Sequence, residues 1–109
     1  MTPRSSPPAR LEQLRAEIQR LDEALVRLIA ERTRVAREAR VAKRDAGLPL
    51  VDTAREAAVV RRAGTLAGAA GLPSEDVREI FWRLIALSRS VQVADDAAAQ
   101  GPPSPGAGG

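Results

Sequence analysis

One apolar stripe dominates the first half of the chain. Large apolar residues recur from Leu11 to Val35 in steps of three and four, with one gap at Arg32. This spacing places them on one face of an α-helix, with a period of about 3.5 residues. No helix-breaking residue interrupts the pattern before Gly47 and Pro49. The pattern therefore predicts a helix from residue 9 to residue 45, about 55 Å long.

Two shorter helices are predicted after this one. The second begins at Asp52-Thr53, residue types that favour the N-cap, and ends before Gly68 or Gly71. The third opens at Pro73 with acidic residues in its first turn, which is typical of helix N-termini. No segment alternates between apolar and polar residues as a strand would. We therefore expect an all-α fold of three helices, one long and two shorter.

The stripe on the long helix also predicts a homodimer. Two helices of half the length can cover only part of it within one chain. An exposed apolar seam of that length is an aggregation hazard, and pairing across a two-fold axis buries it.

The two ends of the chain differ in composition from the rest. Residues 1–8 and 94–109 are rich in Pro, Gly, Ser or Ala and are predicted to be disordered tails, with the alternative that the Ala-rich residues 94–100 continue a helix. The three-helix domain is therefore predicted to span residues 9–93. No apolar run is long enough to cross a membrane or to act as a signal sequence, which favours a cytoplasmic protein.

Composition removes several classes of chemistry. The chain has no cysteine and no histidine, so thiolate catalysis, disulfides and the commonest metal ligands are excluded. The aromatic residues number two, Phe81 and Trp82, too few for stacking nucleic-acid bases. Of the 17 cationic residues all but Lys43 are arginine, and the net charge is +3, which points to an anionic partner.

Several polar residues interrupt the apolar stripes. Arg32 stands where the stripe calls for an apolar residue, and Lys43 lies eleven residues on, about 16 Å further along nearly the same face. Ser88 and Gln92 form an i,i+4 pair on the stripe of the third helix. Each has a simpler explanation: the arginine can reach water, the serine can bond back to the carbonyl of residue 84, and the glutamine can be a solvated helix end.

A second polar cluster lies at the start of the second helix. Asp52, Arg55 and Glu56 crowd one turn. Thr53-x-x-Glu56 matches a capping box, which would explain the glutamate without a ligand, and Lys43 and Arg55 can be plain surface charges. These explanations do not account for polar breaks in three apolar stripes at once, so we predict a polar, cationic pocket.

Arg15 extends the argument to the dimer. It lies seventeen residues before Arg32, about 26 Å away along a straight helix, too far for one small ligand to bridge. If two long helices pair antiparallel, Arg15 of one chain approaches the segment from Arg32 to Lys43 of the other. Two equivalent pockets, each built from both chains, are then expected.

At this point the residues resemble a known family, the all-helical (AroQ-type) chorismate mutases. The resemblance covers residues 11 to 92 and needs no gap among the motif positions. The motifs are Leu14-Arg15-x-x-Ile18-x-x-Leu21-Asp22, Leu28-Ile29-Ala30-Glu31-Arg32, Lys43, Pro49-x-x-Asp52-x-x-Arg55-Glu56 and Ile85-x-x-Ser88-x-x-x-Gln92.

The resemblance implies an intertwined homodimer that rearranges chorismate to prephenate in aromatic amino-acid biosynthesis, with no cofactor and no metal. It also implies a role for each motif residue. The carboxylates of the substrate would be held by Arg32 and the partner subunit's Arg15. The ether oxygen would accept hydrogen bonds from Lys43 and Gln92, with Lys43 also touching a carboxylate. The ring hydroxyl would contact Asp52 and Glu56, and Arg55 and Ser88 would line the pocket.

Three alternatives remain at this stage. Isochorismate-pyruvate lyases and aminodeoxychorismate mutases share the scaffold, although Asp52-x-x-Arg55-Glu56 favours chorismate. A basic helical dimer binding nucleic acid is a different class; its arginines spread around the helix with glutamates between them, which argues against it. Those arginines are Arg27, Arg34, Arg37, Arg40 and Arg44. A purely structural coiled-coil module leaves Arg32, Ser88 and Gln92 unexplained.

Overall fold

The computed structural model describes residues 6–101 and places three helices there, with no strand among those residues. Helix α1 spans Pro7–Asp45, α2 spans Thr53–Ala69 and α3 spans Ser74–Gln100. The predicted all-α fold with one long and two shorter helices is confirmed. Within residues 6–101 no helix is long and apolar enough to cross a membrane.

Helix α1 begins two residues earlier than predicted. The Ser6 hydroxyl accepts a hydrogen bond from the backbone N–H of Ala9 at 3.3 Å, and the Ser6 carbonyl accepts from that of Arg10 at 2.8 Å. Pro7 and Pro8 occupy the first turn, where a missing N–H leaves no bond unmade. The helix therefore takes in the last two residues of the predicted N-terminal tail, and residues 1–5 lie outside the described part.

Helix α3 continues seven residues past its predicted end, to Gln100. The assignment of 94–100 to a disordered tail is therefore wrong, while 102–109 lie outside the described residues. Alanine favours helix, and five of these residues are Ala or Gln. The other two, Asp95 and Asp96, pair with arginines of α1, which ties this segment down.

The chain divides into two compact units, with the division after Arg34. The described part of the first, residues 6–34, is the N-terminal part of α1 alone. Helix α1 has no buried residue, and the apolar residues of its stripe in this unit are all exposed, by 38% to 64%; they are Leu11, Leu14, Ile18, Leu21, Leu25 and Leu28.

The second unit, residues 35–101 as described, holds the end of α1 together with α2 and α3. Helices α2 and α3 pack against each other through a small core. Its buried members are Val60, Ala63, Gly64, Ala67, Ile85 and Ser88. Most are small, which lets the two helices approach closely. The end of α1 reaches α3 through long arginine side chains.

Two glycines stop the helices that lead into the loops. Gly47 and Gly71 have φ angles of 68° and 76°, in the left-handed region that side chains with a Cβ disfavour. The next N–H in each case bonds back five residues, from Leu48 to the Lys43 carbonyl and from Leu72 to the Ala67 carbonyl, both at 2.8 Å. This is the Schellman C-cap. It turns the chain sharply just after Lys43 and so positions the loop that leads to α2.

Candidate active site

Lys43 and Asp52 line one open cavity of about 360 Å³ in the second unit. Lys43 lies half-buried in the last turn of α1, and Asp52 immediately precedes α2. Apolar loop residues, Leu48, Pro49 and Val51, complete much of the wall. The cavity therefore combines an ammonium group and a carboxylate with an apolar lining, a combination suited to a small polar ligand.

Asp52 is the N-cap of α2. Its backbone is extended, with φ −130° and ψ 94°, and its Oδ1 accepts a hydrogen bond from the backbone N–H of Arg55 at 2.9 Å. The capping box considered for Thr53 and Glu56 is therefore wrong, because the cap lies one residue earlier. Asp52 Oδ1 therefore holds the helix start, and Oδ2 accepts no hydrogen bond from residues 6–101. The Arg55 side chain is exposed.

Glu56 is tied to α3 instead of to the cap. Arg89 Nη2 donates to both carboxylate oxygens of Glu56, whose side chain is 18% exposed. A charge-assisted bond of this kind holds the carboxylate in one orientation. The first turn of α2 is thus joined to the middle of α3, beside Ser88.

Ser88 and Gln92 share a face of α3, and neither is a solvated surface residue. Ser88 is buried at 9% exposure, and Gln92 is half-buried. Gln92 Oε1 accepts a hydrogen bond from Arg40 Nη1 at 3.2 Å, and Arg40 Nη2 binds Asp96 Oδ2 at 2.6 Å. The explanation of Gln92 as a solvated helix end is therefore wrong: an arginine from α1 holds its amide oxygen.

The two remaining motif residues belong to the first unit. Arg15 is exposed and its Nη1 binds Glu12 Oε1 at 2.9 Å; ion pairs this exposed contribute little stability, so the guanidinium can exchange partners. Arg32 is half-buried and makes no ion pair within residues 6–101. Its neighbour Glu31 binds Arg34, and that hydrogen bond together with the arginine charge holds the pKa of Glu31 below its ordinary value.

The structure thus brings six of the eight motif residues into the second unit: Lys43, Asp52, Arg55, Glu56, Ser88 and Gln92. A model of the chorismate mutase type II family matches residues 14–93, which takes in all eight. The chain belongs to the chorismate mutase type II family. The resemblance that the sequence motifs carried is confirmed.

A curated relative is a 3-dehydroquinate dehydratase from Pyrobaculum aerophilum. It is 35% identical to this chorismate mutase type II chain over 83 residues, which is 76% of this chain and 24% of the relative. The chain therefore spans about a quarter of the length of that relative. The relative's name denotes a different reaction from that of the family.

Sequence reasoning missed the arginines that bind the family's motif residues. Arg40 holds Gln92, and Arg89 holds Glu56. A partial signal was present: Arg37 and Arg40 lie one turn apart on α1, and the acidic pair Asp95 and Asp96 lies in the Ala-rich segment that follows the predicted third helix. Matching them required knowing that α3 continues to Gln100.

The cap of α2 can be tested separately from any ligand contact. Asp52→Ala should lower the free energy of unfolding by about 1 kcal/mol, because the N–H of Arg55 loses its acceptor. Asp52→Asn should restore most of it, since an amide oxygen caps equally well. Urea unfolding at one fixed chain concentration measures both.

The matched control is Thr53→Ala, which should change stability by less than about 0.5 kcal/mol. If Thr53→Ala lowered the free energy of unfolding and Asp52→Ala did not, the N-cap would be Thr53 and the capping box would be correct.

Proposed function

We propose that this chain is a chorismate mutase, an isomerase that rearranges chorismate to prephenate in the shikimate pathway of the cytoplasm. The observation that carries the proposal is the shared cavity of Lys43 and Asp52, in a chain of the chorismate mutase type II family. Chorismate carries two carboxylates, a ring hydroxyl and an ether oxygen. Cationic and acidic side chains around one pocket match this set of groups.

The proposed roles follow the motif positions. Arg32 and the partner subunit's Arg15 bind the two carboxylates, for which the planar guanidinium fork is well suited. Lys43 and Gln92 donate hydrogen bonds to the ether oxygen, and Lys43 also touches a carboxylate. The ring hydroxyl contacts Asp52 and Glu56, while Arg55 and Ser88 line the remaining wall.

The rearrangement is a pericyclic [3,3] shift, so these residues need to supply neither a nucleophile nor a base. Two barriers oppose it in water: the substrate must adopt a compact chair, and charge separates as the C–O bond breaks. Bidentate arginines oppose the first by holding both carboxylates in one geometry. An ammonium group fixed beside the ether oxygen opposes the second, an effect of typically several kcal/mol.

The proposal includes a homodimer with sites shared between chains. Helix α1 buries none of its residues, and most of the stability of a helix in a protein comes from packing of its apolar face. The α1 helix of a second chain carries the same apolar stripe, so the two stripes can bury each other. The dimer matters for function because Arg15 can reach the site only from the partner subunit.

The ion pairs argue against a nucleic-acid-binding dimer. Three of the five arginines considered for that role already bind carboxylates: Arg34 binds Glu31, Arg37 binds Asp95 and Arg40 binds Asp96. Each of these arginines would have to give up a carboxylate to neutralise a phosphate, which lowers its net contribution to nucleic-acid affinity.

The purified chain should consume chorismate and yield prephenate. The measurement is loss of the ultraviolet absorbance of chorismate, with the product identified by mass and by chromatography. Pyruvate with salicylate formed from isochorismate would instead assign the chain to the lyases, and conversion of aminodeoxychorismate alone would assign it to the aminodeoxychorismate mutases. No conversion of any of the three would refute the enzyme proposal.

Lys43→Ala should lower kcat by about 100-fold or more, because it removes a donor that acts chiefly in the transition state. Lys43→Arg should rescue poorly, since the guanidinium is bulkier and its charge is spread. The adjacent Arg44→Ala is the matched control and should keep near-normal kcat. A change in KM alone would make Lys43 a carboxylate anchor and remove it from the ether oxygen.

Mixing an Arg15→Ala chain with an Arg32→Ala chain should restore activity after joint refolding. Random pairing gives half heterodimers, each with one intact site of two, so about 25% of wild-type activity is expected. Each variant refolded alone is the control, and sedimentation of the same samples reports dimer formation. If the mixture were as inactive as the separate variants, the shared site would be excluded.

A further inference from the structure

An arginine outside the family's motif binds one of its central residues. Arg40 lies one turn before Lys43 on α1, with its side chain 19% exposed. Its Nη1 donates to Gln92 Oε1 at 3.2 Å and its Nη2 to Asp96 Oδ2 at 2.6 Å. Its Nε is buried with no acceptor among residues 6–101, so the two Nη bonds hold the guanidinium in place.

The chemistry of the two groups decides which end of the Gln92 amide faces Arg40. A guanidinium has five N–H donors and no acceptor, whereas an amide has one donor end and one acceptor end. Only the oxygen of Gln92 can face Arg40. The Nε2 hydrogens are therefore directed away from the guanidinium and remain available to another acceptor.

The proposed reaction needs this orientation. Gln92 contributes only if it donates an N–H to the ether oxygen, and an amide free to rotate presents either end. An amide turned the wrong way would place its oxygen against the developing negative charge. A cation on the amide oxygen also polarises the group, which makes the N–H a stronger donor.

We infer that Arg40 is a positioning residue of the active site: it acts through Gln92, holding the amide oxygen so that Nε2 is the donor to the reacting oxygen. The inference rests on the proposed function. Asp96 supports it by fixing the second arm of the guanidinium.

The chain supplies a matched control. Arg37 lies one turn earlier on α1 and binds Asp95, the residue next to Asp96, through Nε and Nη2 at 2.8 and 3.1 Å. It joins the same two helices but binds no residue of the motif, and its side chain is 49% exposed. Both arginines therefore hold α1 against α3, but only Arg40 also contacts Gln92. An effect that depends on Gln92 should appear with Arg40 and not with Arg37.

The first experiment is a double-mutant cycle on kcat with chorismate. Arg40→Met should lower kcat about 5- to 10-fold with little change in KM, the effect of one lost hydrogen bond in the transition state. In a Gln92→Ala background the same substitution should change kcat less than about 2-fold, because the group it acts through is gone. Arg40→Lys should rescue in part, and Arg37→Met should stay within about 2-fold of wild type.

The second experiment does not depend on catalysis. Gln92→Glu places a carboxyl group where Arg40 now binds the amide, and its pKa can be followed by ¹³C NMR. Removing the arginine with Arg40→Met should raise that pKa by about 1 to 3 units, because an adjacent cation favours the ionised form. Arg89 and Glu56 are unchanged in every variant. Arg40→Met leaves Asp96 without its cation, and Arg37→Met leaves Asp95 without its cation, so the second variant controls for an unpaired aspartate. Arg37→Met in the same Gln92→Glu chain is the control and should leave the pKa nearly unchanged.

The outcomes separate the two proposals. A wild-type chain inactive on chorismate removes the proposed function and this inference with it, while the titration still reports whether Arg40 binds residue 92. An active wild type in which Arg40→Met costs the same factor with or without Gln92 overturns this inference alone, because Arg40 then acts on the fold. An equal pKa shift from Arg37→Met also overturns it.

Discussion

The end of α1 is held to α3 by two arginine–aspartate ion pairs, and the arrangement of the candidate site depends on them. Arg37 binds Asp95 and Arg40 binds Asp96. They fix where the last turn of α1 lies along α3, and Lys43 follows Arg40 by one turn. The Arg37–Asp95 pair is about half exposed, and ion pairs of this kind stabilise a fold only weakly. The contribution of the two pairs that matters here is geometric, because they fix the register of α1 against α3.

Apolar burial is the usual source of the free energy that stabilises a fold, and the chain on its own has little of it. The buried residues of α2 and α3 are mostly small, and α1 buries none. Large side chains such as Leu21 and Leu28 are each 64% exposed. At about 25 cal/mol per Å² of apolar surface removed from water, covering such a stripe is the largest gain open to this molecule. Under the dimer proposal, the surface that stabilises the fold also brings Arg15 to its site.

The number and order of the helices could be predicted from the sequence, because the spacing of apolar residues along a helix is a local property. Alternating steps of three and four gave α1, and turn residues such as Gly47 marked its end. The family and its motif positions were also accessible from the sequence, since they depend on residue identity at fixed spacing. What failed was set by contacts between helices: the binding of Glu56 by Arg89, the binding of Gln92 by Arg40, and the pairing of Asp95 and Asp96 with arginines of α1. None of these follows from period or propensity, because each needs the register of one helix against another.

The arginines and the single lysine occupy different kinds of position, and the difference between the two side chains explains why. Arg37, Arg40 and Arg89 each hold carboxylate or amide oxygens of another helix, which a planar fork does with defined geometry. Lys43, the single lysine, lies half-buried at the cavity instead. A lysine ammonium is compact and concentrates its charge at one point. Under the proposed function, Lys43 would stabilise the negative charge that appears on a single oxygen as a bond breaks. An arginine there would bind a carboxylate well in the ground state and gain less in the transition state, and only the difference between the two states accelerates a reaction.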